Sequence, residues 1–284
     1  MKTNASIITG EIFGTFLLVF FGCGSVAVTV LFDAHQGLFQ IALLWGIGLS
    51  IAIYSVRSLS GAHFNPAVTL AMALCKKNKW SSVPLYVVSQ FLGAIIAGLS
   101  VYVLFSSSIL GVEDSTNIVR GSAESMAIAK MFGEYYSISG NSYVSIYLAM
   151  FAEAFGTFLL ALLILFLTDT NNKGRPSDNL VPLMIGFALS CLIALFAPLT
   201  QACFNPARDF GPRIVAMLFG WGSAAFPDSN GGFLFVYILA PCIGGALASF
   251  VYTVLLKPII LQSVPTSKQE TPEKQLFSIR EDAV

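Results

Sequence analysis

Charged residues are scarce in this chain. Only 11% of its 284 residues are charged, against about 25% in an average soluble protein, and 56% are hydrophobic. The 15 Lys and Arg residues balance the 15 Asp and Glu residues, so there is no net charge to attract nucleic acid or a strongly charged protein. This composition argues against a water-soluble globular domain.

The residues that build metal and catalytic sites are also few. The chain has two His, and its five Cys lie mostly in apolar stretches, with neither metal-ligand spacing nor a paired extracellular pattern. We therefore expect free thiols at Cys23, Cys75, Cys191, Cys203 and Cys242. The sequence has no nucleophile–base pair and no phosphate-binding loop, and it predicts neither an enzyme nor a cofactor or metal.

What the chain does contain is a series of long runs without charge. They cover residues 12–32, 80–112, 179–207 and 229–256. Each is long enough for the roughly 20 residues of a membrane-spanning helix. The first run is longer than the apolar region of a signal peptide and lacks a convincing cleavage site, so we expect it to be retained. The pattern predicts a polytopic membrane protein.

The chain also contains an internal duplication. Seven of nine residues are identical between segments 10–18 and 152–160, which lie 142 positions apart. The tetrapeptide Phe-Asn-Pro-Ala occurs at 64–67 and again at 204–207, 140 positions apart. Two independent matches at nearly the same offset indicate a duplicated half of about 140 residues.

Each half is predicted to contain three membrane spans and one shorter helix. The spans are 8–30, 40–58 and 84–104 in the first half, and 143–168, 180–197 and 233–256 in the second. The short pieces are 66–74 and 206–218. An odd number of crossings makes the second half enter from the opposite face, so the halves are inverted repeats.

We therefore predict an all-α membrane protein with six transmembrane helices and two half-helices around a central pore in each protomer. The first repeat covers 1–140 and includes an outer connecting loop, the second covers 141–256, and a tail covers 257–284. The tail is rich in Lys, Glu, Ser, Thr and Pro, which is typical of a mobile segment.

Basic residues predict the orientation of the spans. With both chain ends on one side, eleven of the 15 Lys and Arg residues fall on that side. The other side receives only Arg120, Lys130, Arg208 and Arg213. By the positive-inside rule, both termini and the tail are cytoplasmic.

The two Asn-Pro-Ala sequences have the chemistry of helix starts, because Asn is a favoured N-cap and Pro suits the first helical position. They are Asn65-Pro66-Ala67 and Asn205-Pro206-Ala207. The apolar piece after each is too short to cross about 30 Å at about 1.5 Å per residue. Each half-helix therefore reaches halfway, and the inverted symmetry brings the two N-termini together near the midplane.

This arrangement predicts a pore for neutral solutes. Two helix N-termini, each worth about half a positive charge, repel cations in a low-dielectric medium. If Asn65 and Asn205 cap their helices through oxygen, their NH₂ groups stay free to donate to a solute. The irregular backbone before each half-helix is tolerated at this depth where it lines a wet cavity. Its carbonyls are predicted to accept from solutes, at Gly61, Ala62, His63, Thr200 and Gln201.

Charged residues and a histidine near these motifs each have a functional and a structural interpretation. Arg208 is either a donor that faces the solute, which we favour, or part of an ion pair with Asp209. Glu11 and Glu153 occupy equivalent repeat positions and are either proton relays or, as their equivalence favours, braces for the loops before the half-helices. His63 is expected to brace its loop, because no second His or Cys stands at ligand spacing.

At these motifs the sequence resembles the aquaporin superfamily, over about residues 8–256. The segments that carry the resemblance are 60–69 and 205–213. Asp209, Arg213 and Pro241, together with the outer-loop segment 120–125, are similar to the glycerol-conducting branch, the aquaglyceroporins. The resemblance implies a homotetramer with one pore per protomer in a cell-surface (inner or plasma) membrane.

The resemblance also implies an outer selectivity filter of four residues. Aligned to the motifs, these are Trp45, Ile193, Ala202 and Arg208. Bacterial glycerol facilitators have Gly at the position of Ile193 and Phe at that of Ala202, so this set is closer to plant nodulin-type intrinsic proteins. We expect an apolar wall of Trp45 and Ile193 opposite a guanidinium that donates to hydroxyls.

These features predict a passive channel for glycerol and other small uncharged solutes that also passes water and excludes ions and protons. A water-selective aquaporin is one alternative. Another is a proton-coupled transporter that uses Glu11 or Glu153, because inverted repeats with broken helices also build transporters. A receptor or scaffold with a vestigial pore is a third. Solute flux into liposomes separates them.

Overall fold

A computed structural model of the chain describes residues 2–35, 37–136, 143–226 and 231–262. These residues form helices and connecting loops, without a β-strand among them. Six helices are long and apolar enough to cross a membrane: Asn4–Phe32, Leu38–Val56, Trp80–Thr116, Ile146–Thr168, Val181–Thr200 and Phe233–Gln262. The predicted all-α membrane fold with six spans is confirmed.

We number the α-helices in chain order. They are α1 Asn4–Phe32, α2 Leu38–Val56, α3 Pro66–Leu74, α4 Val83–Thr116, α5 Met126–Ala129, α6 Ile146–Thr168, α7 Val181–Thr200, α8 Pro206–Ala216, α9 Ala240–Phe250 and α10 Lys257–Gln262. Wider, π-helical turns flank α9 over Phe233–Leu239 and Val251–Leu256, which makes the last span continuous.

The predicted and observed helix bounds differ at several ends, of which three are the largest or affect a half-helix or the tail. Helix α3 has the predicted bounds, but α8 ends at Ala216 instead of 218 because a wider turn follows, in which Phe219 and Gly220 leave helical dihedral angles. Helix α4 continues well beyond the predicted end at 104. The first six residues of the predicted tail are helical, and 263–284 lie outside the described residues.

The two halves use the same close helix crossing. Gly93 of α4 packs on the carbonyl oxygen of Ile12 in α1, and Gly244 of α9 packs on that of Ala154 in α6. Ile12 and Ala154 occupy equivalent positions in the duplicated segment. A Cβ atom at either glycine would overlap the opposing backbone, so small residues permit both crossings.

A third crossing joins the halves at the centre. Gly46 of α2 and Gly186 of α7 each pack on the other's carbonyl oxygen. The Ser50 hydroxyl of α2 donates to the Pro182 carbonyl of α7 at 3.1 Å. Because α2 carries Trp45 and α7 carries Ile193, this crossing sets the spacing between two predicted filter residues.

Candidate functional site

Both half-helices begin at an asparagine cap. Asn65 Oδ1 accepts the backbone N–H of Ala67 at 2.8 Å, and Asn205 Oδ1 accepts that of Ala207 at 3.1 Å. In each case the proline occupies the first helical turn, where a backbone N–H would have no partner within the helix, so its absence costs nothing. The local sequence thus explains where both helices start.

The same two side chains join the halves to each other. Asn65 Nδ2 donates to the Phe204 carbonyl and Asn205 Nδ2 to the Phe64 carbonyl, both at 2.8 Å. The N-termini of α3 and α8 therefore meet. The sequence predicted that both hydrogens of each amide are free to donate to a solute. In the structure each amide donates one hydrogen to this contact, and the second remains available for a solute.

The loops before the two half-helices share an unusual backbone conformation. Ala62 and Phe64 have φ angles of 53° and 51°, and their counterparts Ala202 and Phe204 have 61° and 53°. Left-handed angles are unfavourable for residues other than glycine, so surrounding contacts must hold them. Both Phe rings are fully buried and pack over a glycine of the adjacent span.

The Glu11 carboxylate holds the first loop. Its Oε1 accepts the Ser60 hydroxyl at 2.6 Å and the His63 N–H at 3.1 Å. Its Oε2 accepts the Phe64 N–H at 2.9 Å and the Gln90 amide at 2.8 Å. Glu11 is completely buried, so these bonds replace water around its carboxylate.

Glu153 makes the equivalent contacts in the second half. Its Oε1 accepts the Thr200 hydroxyl at 2.5 Å and the Cys203 N–H at 3.0 Å, and its Oε2 accepts the Phe204 N–H at 2.8 Å. It too is completely buried. The duplication thus extends to the hydrogen bonds that shape the two loops.

The His63 side chain contacts the half-helix α3 and the span α4. Its Nδ1 lies 3.2 Å from the Thr69 hydroxyl, and its ring stacks on Tyr86 with centroids 4.6 Å apart. Across the described residues, no group of three His, Cys, Asp or Glu side chains could hold a metal ion.

A cavity of about 330 Å³ passes the two asparagines. Of the residues predicted for the pore, it is lined by Gly61, Ala62, His63, Asn65 and Asn205, and by all four filter residues, Trp45, Ile193, Ala202 and Arg208. Arg57, Arg175 and Asp178 line its other end. The fold therefore brings the predicted filter and the predicted midplane together along one conduit.

Two residues predicted to offer carbonyls to a solute lie elsewhere. Thr200 is fully buried as the last residue of α7, and its carbonyl accepts the Tyr237 hydroxyl at 3.0 Å. Gln201 lines a second cavity of about 660 Å³ on the side away from Lys2, here named the outer cavity, and its side-chain oxygen accepts the Tyr135 N–H at 2.6 Å. Segment 202–204 lines the central cavity instead, because α7 extends three residues beyond its predicted end at 197.

The predicted filter stands between the two cavities. Trp45 and Ile193 line both of them. The guanidinium carbon of Arg208 lies 4.1 Å from the centre of the Trp45 ring, a cation–π distance. A solute that moves from the outer cavity to the central cavity must pass these side chains.

The ion-pair partners of the arginines differ from those considered in the sequence. Arg208 pairs with Glu134, and Asp209 instead binds Arg213 in a bidentate pair, at 2.7 and 2.9 Å. The spacing of four residues on one helix predicts the second pair. Glu134 lies in the connection between α5 and α6, where no local pattern indicated its role.

Arg213 and Asp209 also anchor the connection between α5 and α6, and Arg213 binds the segment that follows α8. Arg213 is fully buried and donates to the carbonyls of Ala225, at 2.6 Å, and of Glu134. The Glu134 N–H donates to Asp209 Oδ1 at 2.8 Å. The second half-helix therefore holds the backbone of Glu134 from both sides.

At the opposite end, the N-terminus supports the first loop. Lys2 Nζ donates to the carbonyls of Arg57, at 2.7 Å, and of Ser60. Burial lowers the pKa of the Lys2 ammonium, and the negative charge of Glu11 acts in the opposite direction. Lys2 thus adds a contact to the loop that Glu11 also holds.

Comparisons with known proteins agree with this architecture. The family model described as Major intrinsic protein matches residues 2–252. The chain is 39% identical to the Glycerol uptake facilitator protein of Pseudomonas aeruginosa over 268 residues, 93% of both chains. It is 38% identical to the Propanediol uptake facilitator of Salmonella typhimurium over 246 residues, 85% of this chain and 90% of that one.

A solved structure shares the fold. The X-ray structure of the aquaglyceroporin from Plasmodium falciparum superposes with a TM-score of 0.80, at 26% sequence identity. The match covers 92% of this chain and all of that one.

Proposed function

The chain belongs to the major intrinsic protein family, and from that premise we propose that it is a passive transmembrane channel for glycerol and other small uncharged solutes. Two asparagine-capped half-helices meet beside a conduit that ends at a guanidinium and apolar side chains, and this observation carries the proposal. Relatives named as glycerol and propanediol facilitators support it. Such a channel transforms nothing chemically and needs no cofactor.

The geometry suits a molecule with a carbon backbone and several hydroxyls. In the proposed filter, Trp45 and Ile193 face the carbon atoms, while Arg208 donates to hydroxyl oxygens. Deeper in the conduit, the remaining amide hydrogens of Asn65 and Asn205 donate, and the loop carbonyls accept. The solute exchanges its hydration shell for these groups, and water passes by the same route.

Exclusion of cations follows from the helix termini. The N-termini of α3 and α8 meet at the asparagines, and each contributes about half a positive charge. The field acts in a narrow conduit inside protein and lipid, where water screens it weakly. We propose that the same positive field also excludes protons.

The contacts of Glu11 and Glu153 favour a passive channel over a proton-coupled transporter. Glu11 accepts four hydrogen bonds and Glu153 accepts three, most of them from the loops that precede the half-helices. A proton bound to either carboxylate would displace a donor that holds the loop. We assign both residues a bracing role.

The proposal includes an assembly and a membrane. We propose a homotetramer with one pore per protomer, in which each pore is built from the repeats over 1–140 and 141–256. We place it in the lipid bilayer at the cell surface, the inner or plasma membrane. The excess of basic residues on the side of the chain ends supports cytoplasmic termini.

Stopped-flow light scattering on liposomes that contain the purified protein tests the function. We expect glycerol to enter these vesicles faster than protein-free vesicles, with no pH gradient required, and water flux to rise as well. Water flux without glycerol flux would identify a water-selective channel. Uphill accumulation driven by a pH gradient would identify a transporter.

The small side chain of Ala202 is predicted to set the width of the filter. Ala202→Phe places a ring in the constriction, and we expect the glycerol-to-water flux ratio to fall by about tenfold, about 1.4 kcal/mol of added barrier, because glycerol is the larger solute. Ala202→Ser, which keeps the width, is the matched control. Equal ratios in the wild type and in Ala202→Phe would contradict the filter assignment.

A further inference from the structure

Glu134 places a carboxylate directly at the proposed filter. It forms an ion pair with Arg208, and the side chains of both residues are only 5% exposed. Glu134 lines the outer cavity and Arg208 lines the central one. The pair therefore stands at the boundary that a solute crosses.

The backbone around Glu134 is held firmly, so the position of its carboxylate is set by the fold. Its N–H donates to Asp209, and its carbonyl accepts from Arg213. The next residue, Tyr135, donates its N–H to Gln201 and its hydroxyl to the Ala224 carbonyl, at 2.6 and 2.8 Å. Glu134 is therefore tied to both the second half-helix and the loop that precedes it.

The charges around the filter show what this carboxylate contributes. Asp209 and Arg213 neutralise each other, and the charged side chains that line the outer cavity besides Glu134 are Asp33 and Lys130, of opposite sign. Without Glu134, Arg208 would add an uncompensated positive charge to that of the helix N-termini. A low-dielectric mouth with that charge attracts anions.

We propose that Glu134 is a specificity-determining residue of this channel: it cancels the charge of Arg208, so that the filter does not attract anions while the helix N-termini repel cations. This inference rests on the proposed channel function. It assigns the arginine the role of a hydrogen-bond donor whose charge is balanced, and it explains how one channel can favour neutral solutes over both kinds of ion.

Chloride influx into liposomes tests the proposal. Vesicles contain a chloride-quenched dye, and valinomycin with K⁺ carries the compensating charge. We expect Glu134→Gln, which keeps the size of the side chain, to raise chloride influx by about tenfold or more. The attraction between chloride and an unpaired positive charge at contact distance exceeds the change in barrier that corresponds to a tenfold change in rate. Wild type and Glu124→Gln, at an exposed position in the connection between α4 and α5, should match protein-free vesicles.

Further variants separate charge from width. Glu134→Asp should exclude chloride like wild type, and the double variant Glu134→Gln with Arg208→Gln should lose the chloride influx of the single variant. Glu134→Ala replaces Glu134→Gln if the latter does not assemble. The proposal is overturned if Glu134→Gln carries glycerol but no more chloride than Glu124→Gln, or if the double variant conducts chloride as well as the single one.

Glycerol flux is measured in the same vesicles. Wild-type protein that carries no glycerol would refute the proposed function, whatever the chloride result. Wild-type protein that carries glycerol, with an unchanged chloride barrier in Glu134→Gln, would refute only the role of Glu134.

Discussion

Replacing Glu153 with glutamine is expected to destabilise the protein by about 3 kcal/mol and to abolish glycerol flux. The carboxylate accepts the backbone N–H groups of Cys203 and Phe204 and the Thr200 hydroxyl. Glutamine has the same shape but turns one acceptor oxygen into an NH₂ donor, so one buried loop N–H loses its partner. A loop that contains left-handed residues then relaxes, and the conduit it lines is distorted.

Thermal unfolding in detergent and glycerol flux per folded protein measure this effect. Glu11→Gln is the matched variant of the first repeat and should also lower the unfolding midpoint, because Glu11 makes equivalent contacts. Glu124→Gln should change neither quantity. If Glu153→Gln unfolded like wild type and lost only accumulation driven by a pH gradient, the carboxylate would be a proton carrier and the bracing role would be refuted.

The second large effect is expected at the crossing of α2 and α7. Gly46→Ala should destabilise the protein by about 2 kcal/mol and lower the glycerol flux, because its Cβ would overlap the Gly186 carbonyl and the Ser190 hydroxyl. A backbone carbonyl cannot rotate away like a side chain, so the helices must separate. Trp45 is the adjacent residue on α2, and the proposed filter would move with it.

The chain supplies a matched pair for this prediction. Gly186→Ala meets the Gly46 carbonyl in the same way and should have a similar effect. Gly24 lies in α1, where an added Cβ meets no atom within 4 Å, so Gly24→Ala should keep the stability and flux of wild type. If Gly46→Ala behaved like Gly24→Ala in both measurements, the crossing would not control the filter.

The features that were predictable from the sequence depend on short-range interactions. An asparagine side chain accepts the N–H groups two and three residues after it, and the proline that follows the asparagine suits a helix start. Local chemistry therefore predicts that the half-helices begin at Pro66 and Pro206. A comparison of the length of the apolar segments with the thickness of a bilayer predicted six spans. The duplication then placed the two caps opposite each other.

The partners of Arg208 and of Thr200 could not be predicted in this way. Glu134 is far from Arg208 in the chain, and it reaches the filter only because Asp209 and Arg213 hold the backbone of its loop. Its segment, 131–136, has one carboxylate among three aromatic residues, and this composition does not indicate a distant partner. Thr200 was expected to offer its carbonyl to a solute, but the Tyr237 hydroxyl from the last span takes it.

By itself, the sequence determined the class of this protein, the number of its spans, its duplicated plan and the starts of both half-helices, because these follow from apolar length and from bonds between near neighbours. The tertiary structure alone decided that Arg208 pairs with Glu134, and that the Asn65 and Asn205 amides donate to the Phe204 and Phe64 carbonyls. Those choices depend on how distant segments pack, and only the folded chain brings such segments within bonding distance.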